Sequence, residues 1–141
     1  RLDTLQAAVL NIKLKKLDEY IAARQKAAAY YDKAFAGHPK ITTPFVASYT
    51  NHVFHQYTLI LDNVNRDELN KYLAEHQVPS MIYYPVPAHR QKMFEAFGGG
   101  AYQLPLTDWL TERVISLPIH TELGEEQLAF ITQKVLAYIN K

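Results

Sequence analysis

The residues from Asp3 to Phe35 follow a helical pattern that is too long for a small compact domain. Asp3, with Gln6 three residues later, resembles a capping box and predicts the helix start. Apolar side chains then recur at helical spacing until Gly37-His38-Pro39. A helix of about 34 residues extends roughly 50 Å, whereas a compact domain of this size has a radius of gyration of about 14 Å. Half of this helix is therefore expected to lean on protein outside the chain.

The long helix also carries two apolar rows, although one row would suffice to cover a single small sheet. One row contains Leu5, Val9 and Ile12; the other contains Leu10, Leu14, Leu17, Ile21 and Ala28. The chain begins RLDTLQ, without an initiator methionine ahead of the helix. We therefore expect a piece of a longer protein, with residues 1–36 as a long connector helix and residues 37–141 as a small domain.

After an irregular stretch at 38–50, the pattern alternates short strands and helices. Strands are predicted at 52–61, 78–83 and 114–119; helices are predicted at 66–76 (capped by Asn65), at 89–97, from Thr107, and at 125–139. The prolines after residue 83 end the second strand, and the glycines at 98–100 close the short helix. Few strands with intervening helices predict an α+β fold, a small sheet with helices packed on one face.

Composition excludes several classes of function. The 141 residues are 48% apolar and 21% charged with a net charge of +1, so the footprint of a nucleic-acid binder is absent. No apolar run approaches the ~20 residues that cross a bilayer, and the lack of a leader favours the cytoplasm. There is no cysteine for a disulfide or a thiolate site. His52 and His55 would face opposite sides of a strand, so no metal site is expected.

The segment MIYYPVPAHRQ, residues 81–91, is the candidate functional segment. Tyr83 and Tyr84 lie together at a predicted strand end, so one phenol points away from any core. A rigid proline-containing loop follows. His89 and Arg90 then begin a predicted helix, where donor groups and free backbone N–H groups suit an anion. These residues predict binding of a polar ring-bearing ligand, with an anionic group as one option; tyrosines that merely cover a surface explain the pattern equally well.

Four stretches occur in an order and spacing that match a known family. They are RLDTLQAAVLNIKLKKLDEY, FHQYTLIL, VPSMIYYPVPAHRQ and ISLPIHTEL, and with the terminal helix they span nearly all of the chain. Together they resemble the DegT/StrS-type, pyridoxal-phosphate-dependent nucleotide-sugar aminotransferases. The resemblance implies the C-terminal small domain of the aspartate-aminotransferase-like fold, with a mainly antiparallel sheet. A missing large domain would supply the Schiff-base lysine, the aspartate at the pyridine nitrogen and most phosphate contacts.

The resemblance also implies substrate-binding roles for four residues. Arg1 matches an arginine that in relatives points at the sugar substrate across the dimer interface. Tyr84 matches a tyrosine that approaches the substrate, and Tyr83 stands where many relatives carry histidine. His89 matches a histidine of the same loop and would have a supporting role. The lysines of the first helix fall in the wrong motif, so the chain is expected to hold no catalytic or cofactor-binding residue and to be inactive alone.

The implied reaction transfers an amino group, usually from glutamate, to a keto carbon of a nucleotide-linked sugar. The implied enzyme is a cytoplasmic homodimer in surface polysaccharide or lipopolysaccharide synthesis. Two alternatives stay open. One is a non-catalytic regulatory or ligand-binding module that dimerises through its long helix; the other, within the family, is a dehydratase. The nucleotide and the aminated carbon, C3 or C4, are open as well.

Overall fold

The computed structural model describes residues 2–141 and divides the predicted connector into two helices, α1 (Thr4–Leu14) and α2 (Leu17–Phe35). The predicted start is confirmed, because the carboxylate of Asp3 accepts hydrogen bonds from the N–H groups of Leu5 and Gln6 at 2.9 and 3.2 Å. The predicted continuous helix is wrong, because Lys16 leaves helical geometry at φ −107° and ψ 1°.

No glycine or proline marks this break, so hydrophobic periodicity does not detect it. The second helix restarts with Asp18 and Glu19 in its first turn, where carboxylates stabilise the positive end of a helix. The ammonium of Lys16 lies 2.9 Å from the Glu19 carboxylate and holds the junction.

Three antiparallel strands form the sheet, in the order β1 (Ile41–Thr42), β2 (Tyr57–Leu61), β3 (Val114–Leu117). Ile41 pairs with Leu61, and Leu59 pairs with Ile115. The small antiparallel sheet of the predicted α+β class is therefore confirmed.

Strand boundaries are where the sequence prediction was wrong. The predicted strand at 52–61 begins only at Tyr57, so His52 and His55 lie in a loop. Competing hydrogen bonds explain this: the Phe54 N–H donates to His52 Nδ1 at 2.9 Å, and the guanidinium of Arg24 donates to the carbonyls of Phe54 and His55. These backbone groups are then not free to join a sheet ladder.

The predicted strand at 78–83 is reduced to one isolated bridge between Met81 and Ser116. Pro79 lacks the N–H that a ladder needs at that position. Conversely, β1 lies inside the stretch predicted to be irregular. It has only two residues and is flanked by Pro39 and Pro44, so the sequence pattern does not indicate a strand there.

The remaining helices are α3 (Arg66–Glu75), α4 (Pro105–Thr111) and α5 (Glu125–Ile139). The Asn65 cap is confirmed, since its side chain accepts a hydrogen bond from the Glu68 N–H at 3.1 Å. The bounds of α5 are as predicted. The fourth helix begins at Pro105 rather than Thr107, because proline is well tolerated in a first helical turn.

The predicted helix at 89–97 is instead a series of short 3₁₀ turns, at Ala88–Arg90, Lys92–Phe97 and Gly99–Ala101. The backbone N–H groups of Arg90, Gln91 and Phe94 donate to carbonyls three residues earlier, which is the 3₁₀ pattern. Gly98 does end the second turn, in the left-handed conformation at φ 74°, which glycine adopts without strain.

The core lies between the sheet and helices α2, α3 and α5. Side chains of alternate β2 residues are buried in the same cluster as residues of these helices. The core residues include Tyr31, Phe35, Tyr57, Leu59, Leu61, Leu69, Leu73, Ile115, Leu128, Ile131, Val135 and Ile139. By contrast, α1 buries no residue, and its Leu5 and Ile12 are 79% and 70% exposed.

Of the helices in residues 2–141, none combines the length and apolar character required to traverse a bilayer.

Candidate functional site

Tyr83 and Tyr84 lie at the edge of the sheet, just after the bridge between Met81 and Ser116. Backbone hydrogen bonds of 3.0 and 2.8 Å fix that bridge. The two tyrosine rings meet edge to face, with centroids 6.0 Å apart and planes at 83°. Tyr84 is 70% exposed and Tyr83 42% exposed, so neither belongs to the core. Both predicted tyrosines thus present ring faces and phenol groups at the surface.

The tyrosines form one wall of a groove of about 410 Å³, here called the tyrosine groove. Its lining residues are Tyr83, Tyr84, Val86, Pro87, Ala88, Gln91, Thr107, Leu110, Thr111 and Val114. The second wall comes from α4 and the start of β3, some twenty residues further along the chain. All lining side chains are uncharged, and they combine aromatic faces with hydroxyl and amide groups. Such a lining suits a sugar or another polar ring.

His89 does not line the tyrosine groove. Its side chain is only 7% exposed, and its Nε2 lies 3.4 Å from an Asp108 carboxylate oxygen without forming a hydrogen bond. Its neighbour Arg90 donates two hydrogen bonds to the same carboxylate, from Nε at 2.8 Å and from Nη2 at 2.6 Å. Arg90 therefore attaches the 3₁₀ segment to α4, and the buried ring of His89 lies beside this attachment.

Electrostatics at this attachment follow from the same contacts. The hydrogen bond from Arg90 lowers the pKa of Asp108 below its ordinary value, with a smaller contribution from the charge of His89. The same hydrogen bond raises the pKa of Arg90. Arg90 is thus engaged by a carboxylate, which weakens the anion site that the sequence suggested at this position.

Arg1, the fourth predicted site residue, lies outside the described residues. Sequence reasoning also missed the second wall, Thr107, Leu110 and Thr111, and the attachment residue Asp108. No local signal marks them, because only the fold brings α4 beside the proline loop. A groove of similar volume between residues 77–79 and α5 is lined by none of Tyr83, Tyr84 and His89.

Pyridoxal phosphate would need a lysine and phosphate-binding groups facing one cavity. The tyrosine groove has no lysine in its lining. At the junction of α1 and α2, Lys13 and Lys15 are exposed and Lys16 is paired with Glu19. The lining of the tyrosine groove therefore does not fit this cofactor by itself.

Comparison with known proteins identifies the family that the sequence matches. The model of the DegT/DnrJ/EryC1/StrS aminotransferase family matches residues 1–136. A pleiotropic regulatory protein of Geobacillus stearothermophilus is 37% identical over 98% of this chain and 37% of its own length. The UDP-N-acetyl-3-dehydro-alpha-D-glucosamine 3-aminotransferase of Acidithiobacillus ferrooxidans is 39% identical over 93% of this chain and 34% of its own length.

The fold agrees with solved structures of the family. The S. venezuelae protein DesV, solved in complex with a ketimine intermediate, superposes with a TM-score of 0.89 and 34% identity, over 100% of this chain and 38% of that chain. The chain thus spans about a third of the length of the relatives it matches, and the match is to their C-terminal part. The predicted family and fold are confirmed, and the chain belongs to the DegT/DnrJ/EryC1/StrS aminotransferase family.

Proposed function

We propose that the protein containing this chain transfers an amino group from glutamate to a keto carbon of a nucleotide-linked sugar, using pyridoxal phosphate. The family match over residues 1–136 supports the reaction class. The name of the Acidithiobacillus relative, a UDP-sugar aminotransferase, supports the substrate class. Pyridoxal phosphate supplies the electron sink for such a transfer, and it would be held mainly outside the residues described here.

The tyrosine groove is the main structural support for the role that we propose for this chain. Sugars present apolar ring faces flanked by hydroxyl groups, and the groove presents aromatic faces flanked by hydroxyl and amide groups. Tyr84, 70% exposed, offers a ring for stacking and a phenol for a hydrogen bond. We assign the sugar to this groove, with Tyr83 and Tyr84 as its contacts and Arg1 as a further contact across a dimer interface.

His89 then supports the site without touching the sugar in this arrangement. The buried ring of His89 and the neighbouring ion pair between Arg90 and Asp108 hold the 3₁₀ segment in place beside the tyrosine groove. A supporting role matches what the family resemblance implies for this position.

The same proposal makes the whole protein a cytoplasmic homodimer that acts in surface polysaccharide or lipopolysaccharide synthesis. The exposed apolar side chains of α1 and early α2 support an extensive contact with further protein; they include Leu2, Leu5, Val9, Leu10, Ile12, Leu14 and Leu17. We propose that this chain is inactive without that further protein.

An absorbance spectrum of the full-length protein, before and after adding glutamate, tests the proposal. A cofactor band that changes on adding glutamate, with release of 2-oxoglutarate, is the expected result. Addition of a keto sugar nucleotide should then restore the original band. A protein that holds no pyridoxal phosphate would contradict the enzyme assignment.

A second candidate is a non-catalytic regulatory or ligand-binding module. The name of the Geobacillus relative, a pleiotropic regulatory protein, favours it, at 37% identity over nearly the whole chain. Under this function the tyrosine groove would bind its ligand without turnover. Binding of a nucleotide sugar with no cofactor and no amino transfer would be the distinguishing result.

A further inference from the structure

A second groove adjoins the tyrosine groove and differs from it in charge. It has a volume of about 500 Å³ and is lined by Tyr84, Pro85, Val86, Arg90, Gln91 and Lys92. We call it the basic groove. Tyr84, Val86 and Gln91 line both grooves, so a ligand that packs against Tyr84 can extend from one groove into the other.

The two grooves differ in the charge of their lining residues. The tyrosine groove is uncharged, while the basic groove is lined by two cations and no carboxylate. A ligand matching both has a neutral polar ring joined to an anionic group.

The two cations are not equivalent. Arg90 is neutralised by Asp108 through two short hydrogen bonds. Lys92 takes part in none of the ion pairs found in residues 2–141, and it is exposed. Its ammonium is therefore the available positive charge of the basic groove, carried on a long stem that can reach a bound anion.

We propose that the basic groove is a diphosphate subsite, in which Lys92 binds the diphosphate of a nucleotide-linked sugar whose sugar ring lies in the tyrosine groove. This rests on the proposed function for the identity of the ring. The chemistry of Lys92 is that of an ammonium binding phosphate oxygens as a point charge. Gln91, at the junction of the grooves, supplies an amide donor beside it.

The test uses the full-length protein and titration calorimetry with UDP and, separately, dTDP. Lys92→Ala is expected to weaken nucleotide binding by about five- to tenfold, since one partly screened charge-assisted contact is lost. Lys92→Arg should retain most of the affinity. Lys71→Ala, an exposed lysine on α3 that lines neither groove, should change nothing. Added salt should weaken nucleotide binding more in the wild-type protein than in Lys92→Ala.

A cofactor phosphate is the other possible anion, so pyridoxal phosphate content is measured in each variant. Unchanged cofactor content in Lys92→Ala, together with weaker UDP or dTDP binding, supports the diphosphate subsite. Loss of cofactor from Lys92→Ala, equal nucleotide affinity of wild type and Lys92→Ala, or failure of the wild type to bind either nucleotide would overturn it.

The spectral reaction with glutamate separates this result from the proposed function. A protein that reacts with glutamate but binds UDP and dTDP independently of Lys92 is an aminotransferase without this subsite. A protein that does not react with glutamate, yet binds nucleotide through Lys92, retains the subsite as part of a binding module.

Discussion

The Asp108 carboxylate joins the two walls of the tyrosine groove through its hydrogen bonds to Arg90, at 2.8 and 2.6 Å. Arg90 belongs to the 3₁₀ segment that follows the proline loop, and Asp108 belongs to α4. A bidentate pair of this kind is stronger and more directional than a single contact. The width of the groove is therefore expected to depend on the ionisation of Asp108.

Acid should release this attachment. The pKa of Asp108 is lowered in the folded protein, chiefly by Arg90, so its stabilising effect is complete above the ordinary aspartate pKa of about 4. That effect is lost as the pH falls through the lowered folded pKa. Hydrogen exchange of residues 88–101, corrected for intrinsic rates, is expected to increase below about pH 4 in the wild type. Asp108→Asn should show faster exchange already at neutral pH and no further increase from this pair.

His89 is the nearest other titratable group, with Nε2 at 3.4 Å from the carboxylate. His89→Asn serves as the control and should keep the acid response below pH 4. An identical pH profile in the wild type and Asp108→Asn would contradict this account.

Gly99 should tolerate no side chain, whereas its neighbour Gly100 should tolerate one. A Cβ on Gly99 would lie 2.8 Å from the His89 carbonyl oxygen and 2.9 Å from two atoms of Phe94, one of them backbone. Nothing lies within 4 Å of a Cβ on Gly100. Gly99→Ala is expected to lower the free energy of unfolding by about 1–3 kcal/mol, with Gly100→Ala nearly unchanged. Urea denaturation of both variants checks this, and equal stability would refute it.

The hydroxyl of Tyr57 should be required for docking α2 on the sheet. It donates a 2.5 Å hydrogen bond to Asp32, and burial raises the pKa of Tyr57. Tyr57→Phe would leave the Asp32 carboxylate without this donor, at an expected cost of about 1–3 kcal/mol in the free energy of unfolding. Tyr30→Phe, on the helix α2 that carries Asp32, is the control. Its free energy of unfolding is expected to change by no more than about 0.5 kcal/mol. Chemical denaturation compares the two, and equal losses would contradict the prediction.

Local chemistry determined which elements the sequence could predict. The start of α3 and the bounds of α5 follow from a capping asparagine and a regular apolar stripe, so both were predicted correctly. Residues 52–56 have strand composition, but the Phe54 N–H donates to His52 and the carbonyls of Phe54 and His55 accept from Arg24, which lies some thirty residues away. No short segment of the sequence contains both Arg24 and the carbonyl groups that it binds.

The candidate site divides in the same way. The tyrosine pair was evident because two adjacent aromatic residues before a proline loop cannot both be buried. Thr107 and Leu110 were not evident, because their proximity to the tyrosines is created only when α4 packs beside the loop. Asp108 was not evident for the same reason, since it meets Arg90 only in the folded chain. Lys92 is likewise unremarkable in sequence, and its proposed role rests on Asp108 neutralising its neighbour Arg90.

Tyr84→Phe in the full-length protein should impair amino transfer without destabilising the fold. The side chain is 70% exposed, so removing its hydroxyl removes no buried contact, and the free energy of unfolding should change by less than about 0.5 kcal/mol. A hydrogen bond to the sugar would be lost, lowering kcat/KM for the sugar nucleotide by about tenfold. The reaction with glutamate alone should be unaffected, since it does not involve the sugar. Tyr49→Phe, at an exposed tyrosine that lines neither groove, is the matched control. Unchanged turnover with a lowered melting temperature would show that Tyr84 serves the fold rather than the substrate.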